Sequence, residues 1–286
     1  MAAAAPSPSA VSLRGAVALS GRFPLLSGVD LEVPVGETVL VEGPNGAGKT
    51  SLLRVCAGLV PLASGRLTVL GLDPVRRRTA VRRRVGLLSH ASHLYDDLTV
   101  QENVRFAVRA AGGDTARIAP ACDRWGLTGR LARTPATKLS AGQRRRVALA
   151  VLTARWPEVW LLDEPHAGLD AAARALLDEA VAEASAARVT ILIASHEPEV
   201  VEALAHRAVT VTGGRITAGR VLGAPASRED ATRSTDGPGG TSAPPGAPDV
   251  TGAPDVTGAP DTPGATDGRS GGPDAAHVGG RVAHVA

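Results

Sequence analysis

The segment that decides the fold is ETVLVEGPNGAGKT, residues 37–50. Its first six residues read as a buried β-strand, and its last eight fit the pattern G-x-x-x-x-G-K-[ST] of a phosphate-binding loop, or P-loop. The glycines let the backbone curl so that successive N–H groups point into one concavity, a nest for phosphate oxygens. A helix predicted over residues 50–59 adds the positive end of its dipole at the same place. The segment therefore predicts a phosphate site of a nucleotide-binding protein.

Two side chains of this loop carry specific predictions. Lys49 should reach the β- and γ-phosphates, and the Thr50 hydroxyl should bind Mg²⁺. The chain has two lysines against 29 arginines, so a lysine is kept here where a compact ammonium group is needed. The loop residues predicted to contact the nucleotide are Gly43, Pro44, Asn45, Gly46, Ala47, Gly48, Lys49, Thr50 and Ser51.

A second strand, in VWLLDE at residues 159–164, carries two acids at its carboxyl end. Ligands bind outside the carboxyl ends of the strands in open α/β sheets, so both acids should face the same site as the P-loop. Asp163 is predicted to hold Mg²⁺ through water, and Glu164 to polarise the attacking water as a general base. An acid at a strand end is common by itself, and its pairing with the P-loop is what points to nucleotide hydrolysis.

Strands and helices are predicted to alternate along the middle of the chain. Apolar periodicity predicts strands at 11–19, 29–33, 37–42, 85–88, 159–162 and 189–194, and helices at 50–59, 100–111, 141–154 and 171–186. This order implies an α/β fold with a mostly parallel sheet covered on both faces. Residues from about 92 to 155 carry predicted helices without strands, which favours an inserted helical subdomain.

The composition changes at Ala226. Residues 226–286 lack Leu, Ile, Met, Phe, Trp and Tyr, and the hexamer GAPDVT at 246–251 recurs at 252–257. Such a segment cannot bury enough apolar area to offset its conformational entropy, so we predict a disordered C-terminal tail. Residues 1–10 are predicted to be a flexible N-terminus, which leaves one folded domain over residues 11–225.

Charge and cysteine content narrow the classes of protein. The net charge is +3, but the tail carries −4, so the basic character belongs to the folded part and suits anionic phosphates or lipids. Cys56 and Cys122 form no C-x-x-C pair, so we expect no zinc site or disulfide framework and favour a reducing cytosol. No apolar run approaches the roughly 18 residues of a membrane-spanning helix, and the N-terminus has no secretory pattern. Nucleic-acid binding is not expected, because interleaved aromatics and recognised modules are missing.

Three further motifs follow in order. LSAGQ at 139–143 precedes the acidic strand, AGLD at 167–170 follows it, and ASHE at 194–197 ends the next strand. With the P-loop and VWLLDE, this series resembles the nucleotide-binding subunits of ABC transporters over about residues 11–222. LSAGQ is similar to the LSGGQ signature of that family, with Ala141 at its third position. AGLD resembles the D-loop, and His196 resembles the switch histidine.

The resemblance implies a P-loop NTPase domain of the ABC type that binds Mg²⁺ and ATP and hydrolyses ATP. It implies that two subunits sandwich two ATP molecules, with Ser140 and Gly142 of one completing the P-loop site of the other. A homodimer is sufficient, and a related second subunit stays open. It also implies a separate integral-membrane permease and a peripheral location on the cytoplasmic face of the membrane. The nucleotide contacts that it adds are Ser140, Gly142, Gln143 and Asp170, and His196 would contact the γ-phosphate.

The chain departs from the family pattern at one catalytic candidate. In most of the family a glutamine follows the strand equivalent to 85–88, whereas this chain has His90. His90, the LYDDLTVQEN stretch at 94–103 and the LSAGQRRRVAL stretch at 139–149 resemble the haem-exporter or cytochrome c biogenesis type. The aromatic side chain that usually stacks on adenine corresponds to Phe23 or, in another alignment, to Ser20.

Other interpretations stay open from the residues. The cargo could be a drug, lipid or polysaccharide, and the chain could instead be a soluble non-transport ABC ATPase or a module that binds ATP without turnover. The arginine runs 76–78 and 82–84 read as a solvated face or as a contact with anionic lipid headgroups. Arg144–Arg146 read as helix surface or as support of a dimer interface, and His166 as a loop residue.

Overall fold

The computed structural model describes residues 8–222 of the chain. The predicted tail, residues 226–286, lies outside the described residues, and so do residues 1–7 of the predicted flexible N-terminus. The structure differs from that N-terminal prediction at Ser9 and Ala10, which belong to the first strand. The Ser9 hydroxyl donates to the Glu32 carboxylate across 2.6 Å, and Ala10 is fully buried. The hydrogen bond of Ser9 and the burial of Ala10 both depend on residues far along the chain, which local composition does not reveal.

The N-terminal part forms an antiparallel sheet of its own. β1 (Ser9–Ser20) pairs with β2 (Phe23–Pro34) on one side and with β4 (Ser64–Val69) on the other. The prediction of a mostly parallel sheet therefore does not hold for the strands predicted at 11–19 and 29–33, which pair antiparallel. No helix separates these two strands, so the chain returns through a short turn and pairs them as a hairpin.

The second sheet carries the α/β character that the sequence predicts. Its strand order is β5-β6-β7-β3-β8-β9, and its neighbours are parallel except for the antiparallel pair β8 and β9. Its strands are β3 (Thr38–Glu42), β5 (Val85–Leu88), β6 (Val159–Asp163), β7 (Thr190–Ala194), β8 (Arg207–Thr212) and β9 (Arg215–Val221).

The longer helices begin and end at local signals. Thr99 caps the third helix in a reciprocal capping box with Glu102, and the Asp170 carboxylate caps the seventh. The first helix stops three residues before its predicted end, because Gly58 has φ +68° and turns the chain away. The helices are α1 (Lys49–Cys56), α2 (Arg78–Arg84), α3 (Val100–Ala111), α4 (Ile118–Arg124), α5 (Gly129–Ala132), α6 (Ala141–Arg155), α7 (Ala171–Ala186) and α8 (Pro198–Val201).

The parallel sheet is covered on both faces, as predicted. In β6 the side chains alternate: Val159 and Leu161 pack with α1 and the antiparallel sheet. Trp160 and Leu162 pack on the opposite face with α3, α4, α6 and α7. All four are fully buried, which explains why this strand reads as an unbroken apolar run rather than an alternating one.

The register of three neighbouring strands brings the motifs to one edge. Asp163 of β6 pairs with Ala194 of β7, and Val41 of β3 pairs with the same residue from the other side. The chain therefore leaves β3 into the P-loop, β6 into Glu164 and β7 towards His196 at the same end of the sheet.

Candidate functional site

The P-loop joins the end of β3 to the start of α1 by a backbone path that needs glycine. Gly43 has φ +140° and Gly48 has φ +111°, both in the region that side chains disfavour. A Cβ atom at Gly43 would lie 2.2 Å from the carbonyl oxygen of Val211, so any side chain would displace strand β8. The loop therefore curls tightly against the sheet, as a phosphate nest requires.

The Lys49 ammonium lies across this loop. The side chain is buried, and Nζ donates to the carbonyl oxygen of Gly43 at 2.7 Å and to that of Pro44 at 3.2 Å. A mobile ammonium with three donors can exchange such carbonyls for phosphate oxygens without moving its backbone. The geometry thus suits the role predicted for Lys49.

Thr50 and Asp163 meet across the site although they are 113 residues apart. The Thr50 hydroxyl donates to Asp163 Oδ1 at 3.0 Å, and Asp163 is buried. Burial raises the pKa of the Asp163 carboxyl group, and the hydrogen bond from Thr50 acts in the opposite direction. Two adjacent oxygen donors fit Mg²⁺, which is usually held by one or two protein ligands together with water and phosphate.

Glu164 and His196 form the next contact along the edge. His196 Nδ1 lies 2.7 Å from Glu164 Oε2. The backbone of Glu164 has φ +46°, rare for a residue with a side chain, and its N–H donates to the carbonyl oxygen of Ala194 at 2.9 Å. Strained backbone of this kind clusters at functional sites. The His196 side chain is about half exposed, whereas the Glu164 side chain is partly buried. Solvent therefore reaches the pair from the side of the histidine ring.

Arg145, which the sequence analysis leaves as helix surface or interface support, is buried instead. Its guanidinium donates to the carbonyl oxygens of Ser89 at 2.5 Å, Glu164 at 2.6 Å and Asp163 at 3.2 Å. Burial lowers the pKa of this guanidinium, against the charges of Asp163 and Glu164. A signal existed in the sequence, because residue 145 falls on the same face of α6 as Leu149 and Leu152.

The two arginines beside it do lie at the surface. Arg144 pairs with Asp96 at 2.5 Å, and Arg146 pairs with Asp170 at 3.0 Å. The second pair links the start of α6 to the residue that caps α7.

The LSAGQ segment forms the start of α6. The Ser140 hydroxyl accepts from the N–H of Gln143 at 3.2 Å, and the Gln143 side-chain oxygen accepts from the N–H of Ser140 at 2.9 Å. A Cβ at Gly142 would lie 3.4 Å from the carbonyl oxygen of Gly168. The hydrogen bonds found within residues 8–222 join neither Ser140 nor Gly142 to the P-loop of the same chain.

Three further histidines lie at different places. His90 is exposed just after β5, beside the carboxyl end of β6. His93 Nε2 lies 3.0 Å from the Ser89 hydroxyl, and His166 Nε2 lies 2.7 Å from Asp178 of α7. Among the described residues, no group of three or more His, Cys, Asp or Glu side chains could hold a metal ion.

The two candidates for adenine stacking lie at the turn between β1 and β2. Phe23 and Ser20 are cross-strand partners there. The Phe23 ring is 79% exposed, so one face is free for a planar ligand, whereas Ser20 offers no ring. The geometry favours Phe23 of the two.

Several known proteins are similar to this chain in sequence or in fold. A family profile described as "ABC transporter" matches residues 26–167. A cytochrome c biogenesis ATP-binding export protein, CcmA, of Cupriavidus pinatubonensis is 41% identical over 56% of this chain and 73% of that protein. A thiamine import ATP-binding protein, ThiQ, of Cereibacter sphaeroides is 39% identical over 66% of this chain and 83% of that protein.

A solved structure titled "Structure of ATP binding subunit of ABC transporter" superposes with a TM-score of 0.71. It is 25% identical and covers 75% of this chain and 90% of that chain. None of the helices described within residues 8–222 has the length and apolar character needed to cross a bilayer.

Proposed function

Because this chain belongs to the ABC transporter ATP-binding family, we propose that it hydrolyses ATP to power a separate membrane permease. The observation that carries the proposal is the meeting of three motifs at one edge of the sheet. Lys49 and Thr50 come from the P-loop, Asp163 and Glu164 from β6, and His196 follows β7. The same proposal assigns the ATPase domain to residues 11–225, to which β1 adds Ser9 and Ala10, with a helical subdomain near residues 92–155.

Each side chain has a defined part in the proposed reaction. Lys49 exchanges the carbonyls of Gly43 and Pro44 for phosphate oxygens of ATP. Thr50 and Asp163 would hold Mg²⁺, which supplies positive charge to the phosphates when bound. Glu164 accepts a proton from the attacking water as general base. The ring of His196 is half exposed beside Glu164, and its proposed part is to contact the γ-phosphate.

A second copy completes the site in this proposal. Ser140 is exposed at the start of the 15-residue helix α6, whose N–H groups and dipole suit an anion. Its role, with Gly142, Gln143 and Asp170, is to contact the ATP held by the partner copy. A two-fold dimer uses the same surface on both copies, so a homodimer is sufficient. The assembly then sits at the cytoplasmic face of the membrane through its permease.

We propose further that the permease is of the haem-exporter or cytochrome c biogenesis type. Support comes from His90 at the position after β5, from LSAGQRRRVAL at 139–149, and from the similarity to CcmA. His90 would act near the attacking water in place of the usual glutamine. The similarity to ThiQ supports a second candidate, a permease that imports a small solute.

The test is capture of the partner with ATP bound. A tagged Glu164→Gln chain, isolated from the membranes of its own source with ATP, should retain ATP, turn over orders of magnitude more slowly, and carry its permease for identification by mass spectrometry. The control is Glu199→Gln, an exposed acid on α8, which should hydrolyse ATP at the unsubstituted rate.

Each outcome of the capture is informative. A haem-export or cytochrome-assembly permease supports the finer proposal, and loss of c-type cytochromes in a deletion strain checks it. A solute importer supports the second candidate. Ribosomal or DNA components without a membrane protein would overturn the transport proposal. Unchanged turnover in Glu164→Gln would remove Glu164 from the role of base.

A further inference from the structure

We infer that Arg145 is a positioning residue for ATP hydrolysis, holding the backbone of Glu164 and the end of β5 in one arrangement relative to the start of α6. The inference rests on the proposed function, because it concerns the side chain that acts there as the base. The hydrogen bonds that Arg145 makes within residues 8–222 go to backbone carbonyl oxygens, so its proposed action is through Glu164.

The contacts of Arg145 span two strands. One terminal nitrogen donates to Ser89, directly after β5, and the other donates to Asp163 and Glu164 at the end of β6. Arg145 is 8% exposed, so these bonds form largely away from water, where losing one costs more than at the surface. A planar guanidinium can serve such divergent acceptors in one fixed geometry.

The backbone of Glu164 needs this support. Its φ of +46° lies in the left-handed region, which a residue with a side chain occupies only when its surroundings fix it. Its N–H is held by Ala194 and its carbonyl oxygen by Arg145, so the residue is fixed from both sides. That turn directs the carboxylate to His196, 2.7 Å away. The same carbonyl oxygen also accepts from the N–H of Ala167 at 3.2 Å, a longer bond within the turn itself. Without Arg145 the turn loses its tie to α6, and the carboxylate is held less firmly in its direction.

Within one copy, the same arginine links residues that serve the two different ATP sites of the proposed dimer. Ser140, which would act on the ATP of the partner copy, lies five residues before Arg145 at the start of the same helix. Ser89, the second anchor, directly precedes His90. A movement of α6 at the dimer interface would therefore be transmitted by Arg145 to the backbone of Glu164 and to Ser89.

Arg155, at the other end of α6, is a matched control. Its guanidinium donates to the carbonyl oxygens of Arg82 at 3.0 Å and Val85 at 3.2 Å, at the opposite end of β5. Both arginines hold a buried Nε without a partner in the described part of the chain. Replacing Arg155 thus removes a largely buried guanidinium that also joins α6 to β5, without touching Glu164.

The experiment compares Arg145→Met with Arg155→Met in the full chain by steady-state ATPase kinetics, ATP affinity and Tm. We expect Arg145→Met to lower kcat by about 10- to 100-fold with little change in ATP affinity. Arg155→Met should keep kcat near the unsubstituted value despite a similar loss of Tm. Arg145→Lys retains the charge without the planar set of donors, so its kcat should lie between that of Arg145→Met and that of the unsubstituted protein. It takes the place of Arg145→Met if the methionine variant fails to fold. Equal kcat values in the Arg145 and Arg155 variants would overturn the inference.

A double-mutant cycle separates positioning from general damage. If Arg145 acts through Glu164, adding Arg145→Met to Glu164→Gln should cost little further activity, because the base is already absent. Fully additive losses would overturn the inference. An unsubstituted chain that hydrolyses no ATP would instead overturn the proposed function, so the two failures are distinguishable.

Discussion

The Thr50 hydroxyl donates to the Asp163 carboxylate at 3.0 Å, joining the first residues of α1 to the end of β6. This bond is the main local support of a carboxylate that burial otherwise destabilises. The pair places two oxygen donors where Mg²⁺ would bind. The buried carboxylate lowers the stability of the nucleotide-free protein, and binding of a cation can offset that loss.

Asp163→Asn should therefore make the nucleotide-free protein more stable while abolishing Mg²⁺-dependent hydrolysis. Because the folded-state pKa is raised, the ionised carboxylate opposes folding above that pKa, and asparagine removes the charge while still accepting from Thr50. We expect Tm to rise by about 2–4 °C in differential scanning calorimetry. Thr50→Val is the control and should lower Tm, since it removes the donor; a lower Tm for Asp163→Asn would contradict the argument.

Lys49→Ala should weaken ATP binding itself. A charge-assisted hydrogen bond contributes about 1.5–3 kcal/mol, so the dissociation constant should rise roughly 10- to 100-fold in isothermal titration calorimetry. Lys138, the other lysine of the chain, is exposed, and Lys138→Ala should bind ATP as the unsubstituted protein does. Equal affinities for the two variants would mean that Lys49 does not contact phosphate.

His196 has two possible duties, which two substitutions separate. Asparagine places an amide nitrogen near the position of Nδ1, which faces Glu164, whereas glutamine places one near Nε2, which points away from it. Because the proposed duty is the γ-phosphate contact, His196→Gln should retain more kcat than His196→Asn, and His196→Ala should retain least. The reverse order would assign His196 to orienting Glu164.

Glu42, the residue before the P-loop, should make stability depend on pH through Arg220 of β9. The hydrogen bond from Arg220 holds the pKa of Glu42 below its ordinary value near 4.5, against the effect of burial. The contribution of this pair is present above the unfolded-state pKa and is lost as pH falls through the lower folded-state pKa.

Arg220→Met should thus lower Tm most near neutral pH, and its difference from the unsubstituted protein should shrink as the pH falls below the ordinary pKa of Glu42 near 4.5. Thermal melts across pH 3–8 measure this. Arg215→Met, an exposed change at the start of the same strand, should give a small difference that does not vary with pH. Arg220 also pairs with Glu202, so a gap for Arg220→Met that stays constant with pH would show that neither carboxylate contributes through this arginine.

Much of the fold could be predicted because its signals are local. Helices α3 and α7 have the predicted bounds, since capping residues and apolar periodicity lie within each segment. The buried strand β6 and the P-loop turn likewise follow from consecutive residues. The extent of the domain and the nature of residues 226–286 stay predictions, because the tail lies outside the described residues.

The sequence by itself determined the P-loop, the acids at the end of β6 and the order of the motifs, since each is written in a few neighbouring residues. Only the tertiary structure decided that β1 and β2 form a separate antiparallel sheet with β4, because strand pairing depends on partners far along the chain. It also decided that Arg145 is buried against Ser89 and Glu164. A run of three arginines predicts solvent exposure. Burial of one of them becomes favourable only when the fold places carbonyl oxygens where they accept hydrogen bonds from its guanidinium.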